Sequence, residues 1–208
     1  MLHTPFPEDH EDLEYRRLKE IKEEKTKEKV NLGDFNFEGA ILNDFALPIQ
    51  TDGDINFNTV QIVESVYFDV AEICGDILFI DAKIGGDAWF FGAEINGTAR
   101  FADAEIGKSI WFESTKIGKE AWFAGAGIGE MISFKDTEIG GDAFFEDAQI
   151  NGPAYFENAK IDGTLYFEGV KFGESVYFEN IKIGGDTCFE RAEIEGSALF
   201  NNASFLGK

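Results

Sequence analysis

Cysteine is scarce in this 208-residue chain, with only Cys74 and Cys188 present. They lie about five coils apart in the repeat described below, several-fold beyond disulfide reach at roughly 4.8 Å per coil, so both are expected as free thiols of a cytoplasmic protein. Histidine is equally rare: His3 and His10 both fall in the N-terminal tail. The remaining chain therefore has no Cys–His pair and no Ser–His–Asp set, and no enzyme is expected. No stretch approaches the roughly 20 apolar residues that cross a bilayer. The start, with His3, Pro7, Glu8 and Asp9, lacks the basic flank and apolar run of a secretory signal. Positive charge is the last scarcity. Lys and Arg number 18 against 40 Asp and Glu, a net charge of −22. Residues 1–30 hold 7 basic and 9 acidic groups, leaving 11 and 31 for the rest. Such a body repels nucleic acid and anionic lipid and attracts basic partners. The plain alternative is a coat that keeps an aromatic-rich rod soluble.

Phenylalanine is what the chain has in excess, 22 residues in all. From Phe57 through Phe68, Phe79, Phe90 and onward to Phe200 a Phe returns at every eleventh position without a miss. Five places after each stands a second large residue, Ile62, Ile73, Ile84, Ile95 and so on, with Phe172 and Phe205 as the exceptions. The steps thus alternate between five and six. Counting from each Phe, +3 is mostly small, +5 is Ile, +9 is small or aliphatic and +10 is often aromatic. Alternation within +3 to +5 and within +9 to +11 describes two short extended segments, each burying two side chains. Gly, Asn and Asp supply the corners between them.

Eleven residues build two sides, and an interior that admits a Phe and an Ile from each unit needs four. One coil then takes 22 residues, with Phe facing Phe and Ile facing Ile across the tube, and coils stacked at roughly 4.8 Å align like residues in ladders. The expected fold is all-β, a four-sided β-helix (solenoid) over 31–208 behind a charged tail, 1–30. Acid at Asp9, Glu11, Asp12 and Glu14 and base at Lys25, Lys27 and Lys29 predict a short N-terminal helix by the macrodipole rule. Its thin apolar seam is Leu13, Leu18 and Ile21. Phe37 and Leu42 already fit the repeat, but the next large position, Phe57, comes late, so residues 43–51, with Pro48, read as an inserted loop and a candidate binding site.

A small residue two places before a large one, as in Ala82-Lys83-Ile84, Ala88-Trp89-Phe90, Ala154-Tyr155-Phe156 and Ala159-Lys160-Ile161, resembles the pentapeptide-repeat proteins. The resemblance covers about 33–205 and implies a right-handed quadrilateral β-helix. The chain departs from the family pattern in using Phe and Ile where Leu is commoner, and in lengthening every second step to six. Ile-Gly-x-x-Ala-x segments such as Ile84–Trp89 also look like the hexapeptide repeat of left-handed β-helix acyltransferases, but that period is six throughout, and the histidine base is missing. The Gly-Gly-Asp corners resemble calcium-binding nonapeptide repeats, yet the period differs and simple turns explain them. No cofactor or metal is expected.

Two outward columns are candidate interaction surfaces. The +10 position carries Tyr67, Trp89, Trp111, Tyr155 and Tyr177 on one side and Trp122, Phe144 and Tyr166 on the opposite one, either as structural ladders or as anchors for a protein partner of unknown identity. The +1 position stacks Glu146, Glu168 and Glu190, like charges that a merely structural ladder would avoid. Acidic ridges on a rod resemble those pentapeptide-repeat proteins that mimic DNA and bind type II topoisomerases, which implies a DNA-mimic inhibitor as the second function beside an interaction or scaffold role. Phe200, Phe205 and Leu206 end the repeat without a cap, predicting a homodimer through the C-terminal coil.

Overall fold

The fold follows from where the interior residues point. In this computed structural model, which describes residues 1–7, 13–46 and 50–207, every strand is two residues long and pairs in parallel with the strand one coil away. Four walls result. Wall A runs from Ile55–Asn56 to Thr187–Cys188, wall B from Ile41–Leu42 to Glu193–Ile194, wall C from Phe45–Ala46 to Ala198–Leu199, and wall D from Gln50–Thr51 to Ser204–Phe205. Among the described residues walls B, C and D each hold eight strands and wall A seven. Ala88 pairs with Ile110 and Ile95 with Ile117, which is the 22-residue coil. The quadrilateral solenoid read from the Phe and Ile spacing is therefore present.

The tube is filled by the expected residues. Phe57 through Phe178, spaced by eleven, are all at most 1% exposed. The rings stack face to face on the one a full coil away, as Phe90 does on Phe112 (4.6 Å, 6°), and meet their neighbour half a coil away edge-on, as Phe101 meets Phe112 (5.8 Å, 86°); Phe167 departs, tilted by 43° against Phe145 and by 37° against Phe189. Both geometries suit the ring quadrupole.

The alternating step length reflects two kinds of corner. After each Phe a tight turn closes with an N–H to C=O bond from +3 to the Phe, such as Ala93 to Phe90 at 3.0 Å. The +2 residue is left-handed, from Val70 (φ 52°) to Gly125 (φ 70°). Asn, Asp and Gly tolerate that region, whereas another L-residue spends about 1–2 kcal/mol there. In several coils the longer corner after the Ile is tied to the next coil by a side chain: Asp76 Oδ1 accepts from Thr98 N (2.8 Å), Asp142 Oδ1 from Thr164 N (2.7 Å) and Ser65 Oγ from Asp87 N (2.9 Å). Asp87, which accepts from Ser109 N at 3.1 Å, and Asp142, each closing a Gly-Gly-Asp corner, thus satisfy backbone donors that the bent chain would otherwise leave unpaired.

The first coil corrects the expected insertion at 43–51. Phe45 pairs with Val66 and Thr51 with Ile73, so this stretch lies within walls C and D instead of looping out; residues 47–49, Pro48 among them, lie outside the described residues. Phe37 N donates to Asn56 O and its ring stacks on Phe57 at 5.1 Å, twenty residues on. The coil is two residues short. Phe45 fills a slot that is Ala, Val or Ile elsewhere, and Thr51, 2% exposed, stands where Ile is the rule.

The helix spans Leu13–Asn31, and the expected start at Asp9, Glu11 and Asp12 lies outside the described residues. Of the expected apolar seam, Leu13 is 79% exposed, while Leu18 and Ile21 are half-buried. Tyr15 and Lys22, two turns apart, do the anchoring. The Tyr15 hydroxyl donates to Asn43 Oδ1, and the Lys22 ammonium donates to the carbonyls of Leu2, Thr4 and Ile41 beneath the Phe6 ring. Burial lowers the Lys22 pKa to about 8. Lys29 lies over the Phe37 ring at 5.6 Å and pairs with Asp34, closing the N-terminal coil.

Candidate interaction surfaces

The strand register carries each +10 residue outward between two buried neighbours, so the aromatic columns stand on opposite walls. On wall C, Trp89 stacks on Trp111 (5.0 Å, 5°) and Tyr155 on Tyr177 (4.9 Å, 9°). Ser133 separates the two pairs and is itself fully buried, its hydroxyl donating to Glu113 Oε1 at 2.9 Å. On wall A, Trp122, Phe144 and Tyr166 form a continuous stack, at 3.8 Å and 4.9 Å between centroids. Ring faces are consumed along the axis, and ring edges meet the solvent. The structure thus brings the predicted aromatics together as two separate ladders.

Glu146, Glu168 and Glu190 occupy successive rungs beside the wall A stack. Glu157 and Glu179 repeat the arrangement beside wall C. Burial, followed by neighbouring carboxylates, raises the Glu146 pKa; burial likewise raises that of Glu157, with Lys135 opposing and Glu179 adding. One oxygen of each of Glu146, Glu157 and Glu179 is buried without a hydrogen-bond partner. Walls B and D behave otherwise. There Lys83 meets Glu105 at 2.9 Å, Lys116 meets Glu94 at 3.1 Å and Lys171 meets Glu193 at 3.8 Å, neutralising charge along the ladder.

Cys74 is exposed and Cys188, on the wall A column, is partly buried; both are free. Burial and then Glu168 push the Cys188 thiol pKa up, so it rests protonated. Among the described residues no group of three or more His, Cys, Asp and Glu is placed to hold a metal ion, and no helix is long and apolar enough to cross a membrane. At the C-terminal end exposure rises: Phe178 is 1% exposed, while one coil further on Phe200 is 41%, Phe205 45% and Leu206 74% exposed.

What the spacing did not reveal is a second apolar cluster, Val70 and Phe91, at positions read as polar turn sites. Val70 is 61% and Phe91 50% exposed. The signal was available in the sequence: both depart from the polar residues that fill most +1 and +2 positions.

Four parallel walls, one inward residue per two-residue strand and outward ladders define a square β-solenoid of short repeats. Residues 134–182 match the family model described as pentapeptide repeats (9 copies), and the same register continues to either side of that stretch. Over residues 134–182 the chain carries pentapeptide repeats, in a variant whose steps alternate between five and six residues. No curated protein matches it.

Proposed function

We propose that this protein is a non-enzymatic interaction or scaffold protein that holds a protein partner along its walls. The observation that carries the reading is the pair of stacked aromatic ladders, Trp89 with Trp111 and Trp122 with Phe144 and Tyr166, left half-exposed on opposite walls. Large rings ordered in advance present contact area with little further entropy to lose, which favours their use as anchors. The protonated Cys188 thiol and the absence of histidine beyond the tail weigh against covalent chemistry. The test is affinity capture from native lysate with the wild-type chain and with Trp89, Trp111 and Trp122 changed to Ser. Loss of specific partners supports the reading, and an unchanged set of partners makes the ladders structural.

A second reading, an acidic DNA-mimic inhibitor of an enzyme such as a type II topoisomerase, draws on the unpaired carboxylate columns at Glu146, Glu168 and Glu190 and at Glu157 and Glu179. A DNA supercoiling assay tests it, and absence of inhibition at micromolar protein overturns it. The exposed apolar side chains of Phe200, Phe205 and Leu206 support a homodimer through the C-terminal coil as part of this proposal. A sedimentation measurement that finds only monomer at high concentration removes that part of the proposal. A cytoplasmic setting fits the two free thiols.

A further inference from the structure

The left-handed position two residues after each interior Phe is filled by Gly, Asn, Asp, Ser, Thr or Arg throughout the described coils, with one apolar departure, Val70. A β-branched apolar side chain is the least suited of these to that backbone, and strain of this kind is retained where something else selects for it. Burial is not what selects for it, because Val70 is 61% exposed. The adjoining +1 column shows a matching departure. It reads Asp69, Phe91, Glu113, Lys135, Glu157, Glu179, Asn201, so a single Phe interrupts a polar series, and that Phe is 50% exposed.

The two departures meet at one place. Val70 N donates to Phe91 O at 2.8 Å, and Phe91 N donates to Asp69 Oδ1 at 3.1 Å. The next rung above Val70 is Gly92, so its methyl groups pass over a residue without a side chain. Tyr67, 43% exposed, is the wall C residue of the same coil and pairs in register with Trp89, the first ring of the stacked tryptophans. Beside this apolar spot stand Asp69 and, one rung on from Phe91, Glu113, whose backbone carbonyl accepts from Gly92 N at 2.9 Å; among the described residues neither is in an ion pair, unlike Glu94, Glu105 and Glu193 on walls B and D.

We infer that Val70, Phe91 and Tyr67 form a docking spot for a segment of a partner protein that carries an apolar side chain between lysines or arginines. This rests on the interaction reading above and gives it a location and a partner chemistry. The apolar side chain covers the exposed Val70 and Phe91, and its basic neighbours reach the carboxylates of Asp69 and Glu113, neither of which has a cationic partner among the described residues. A second copy of this chain is a poor occupant, since each copy carries a net charge of −22 and would bring acid against acid.

The probes are three synthetic peptides of equal length, alternating Leu with Lys, Leu with Glu, and Ser with Lys, titrated by fluorescence anisotropy against wild type, Val70→Asn, Phe91→Ser and Gln149→Ser, the last at an exposed neutral position of wall B. Asparagine suits the left-handed backbone, so Val70→Asn is expected to melt no lower than wild type, which separates binding from folding. The expected result is binding of the Leu–Lys peptide alone, weakened at least tenfold by Val70→Asn and by Phe91→Ser and left unchanged by Gln149→Ser. Equal binding of the Ser–Lys peptide, unaltered binding to Val70→Asn, or no binding of the Leu–Lys peptide overturns the inference. An equal loss with Gln149→Ser overturns it too while leaving the broader interaction role standing, as does self-association abolished by Val70→Asn in sedimentation. The broader role itself falls only with the affinity capture described above.

Discussion

Replacing Phe112 by Ala tests the continuous aromatic interior most directly. Phe112 is fully buried and stacks on Phe90 at 4.6 Å and Phe134 at 5.1 Å, while meeting Phe101 and Phe123 edge-on, each at 5.8 Å. Removing a buried Phe sacrifices its transfer free energy and leaves a void that parallel walls cannot easily close, about 3–5 kcal/mol in total. Leu at the same place keeps much of the volume but loses the ring pairs, and about 1–2 kcal/mol is expected. Phe200→Ala is the internal comparison. It removes the same atoms at a site 41% exposed with fewer ring neighbours, so about 1–2 kcal/mol follows. Urea unfolding followed by far-ultraviolet circular dichroism and by tryptophan fluorescence from Trp111 and Trp122 measures all three. Coils that share one core should lose stability in the order Phe112→Ala, then Phe112→Leu and Phe200→Ala together. Equal and small losses at positions 112 and 200 would refute the reasoning, because they would mean that the central rings contribute no more than a half-exposed one.

Three further outcomes are expected. The raised pKa of Glu157 means that the folded state favours its protonated form, so its contribution is most favourable below the ordinary carboxylate pKa and is lost as pH rises through the elevated one. Glu157→Gln should therefore raise the melting temperature at pH 7 and lose that advantage by pH 4, which thermal scans across that range will show. Lys22→Met strands three backbone carbonyls under the helix and should destabilise the N-terminal cap by about 2–3 kcal/mol, seen as faster hydrogen exchange over Leu13–Asn31 with the central coils unaffected. Asn158 sits at φ 59°, donates to Asp136 Oδ1 at 2.8 Å and accepts from Asn180 at 3.0 Å. Asn158→Ala should cost about 1–2 kcal/mol and Asn158→Gly less, since Gly keeps the left-handed backbone at no steric expense; a reversal of that order in chemical denaturation would deny the turn its conformational role.

The lattice was legible because the interior repeats. Period eleven, the alternating steps and the outward +10 residues follow from side-chain volume and sidedness, and Phe57 through Phe178 are buried as that reasoning requires. The first coil was not legible by the same rule. Phe45 and Thr51 exchange the usual sizes while keeping the usual directions, so a search for large residues at fixed spacing mistakes a short coil for an insertion. The helix hid its anchors for a different reason. Tyr15 and Lys22 bind through polar tips to backbone and amide oxygens, which no count of apolar residues can detect. Val70 and Phe91 escaped notice because corner positions are read for turn chemistry, and an apolar residue there registers as noise unless the whole column is compared.

The half-coil unit has a consequence for how such a rod can change length. Phe pairs edge-on with the Phe eleven residues away and face to face with the one 22 away, so the interior is nearly the same after half a revolution as after a whole one. Gain or loss of a single eleven-residue unit would leave every ring inside with a ring to meet. It would also turn everything beyond it through half a revolution, carrying the tyrosines of wall C to wall A and the aromatic stack of wall A to wall C. A duplication invisible to the core is thereby a rearrangement of the surface.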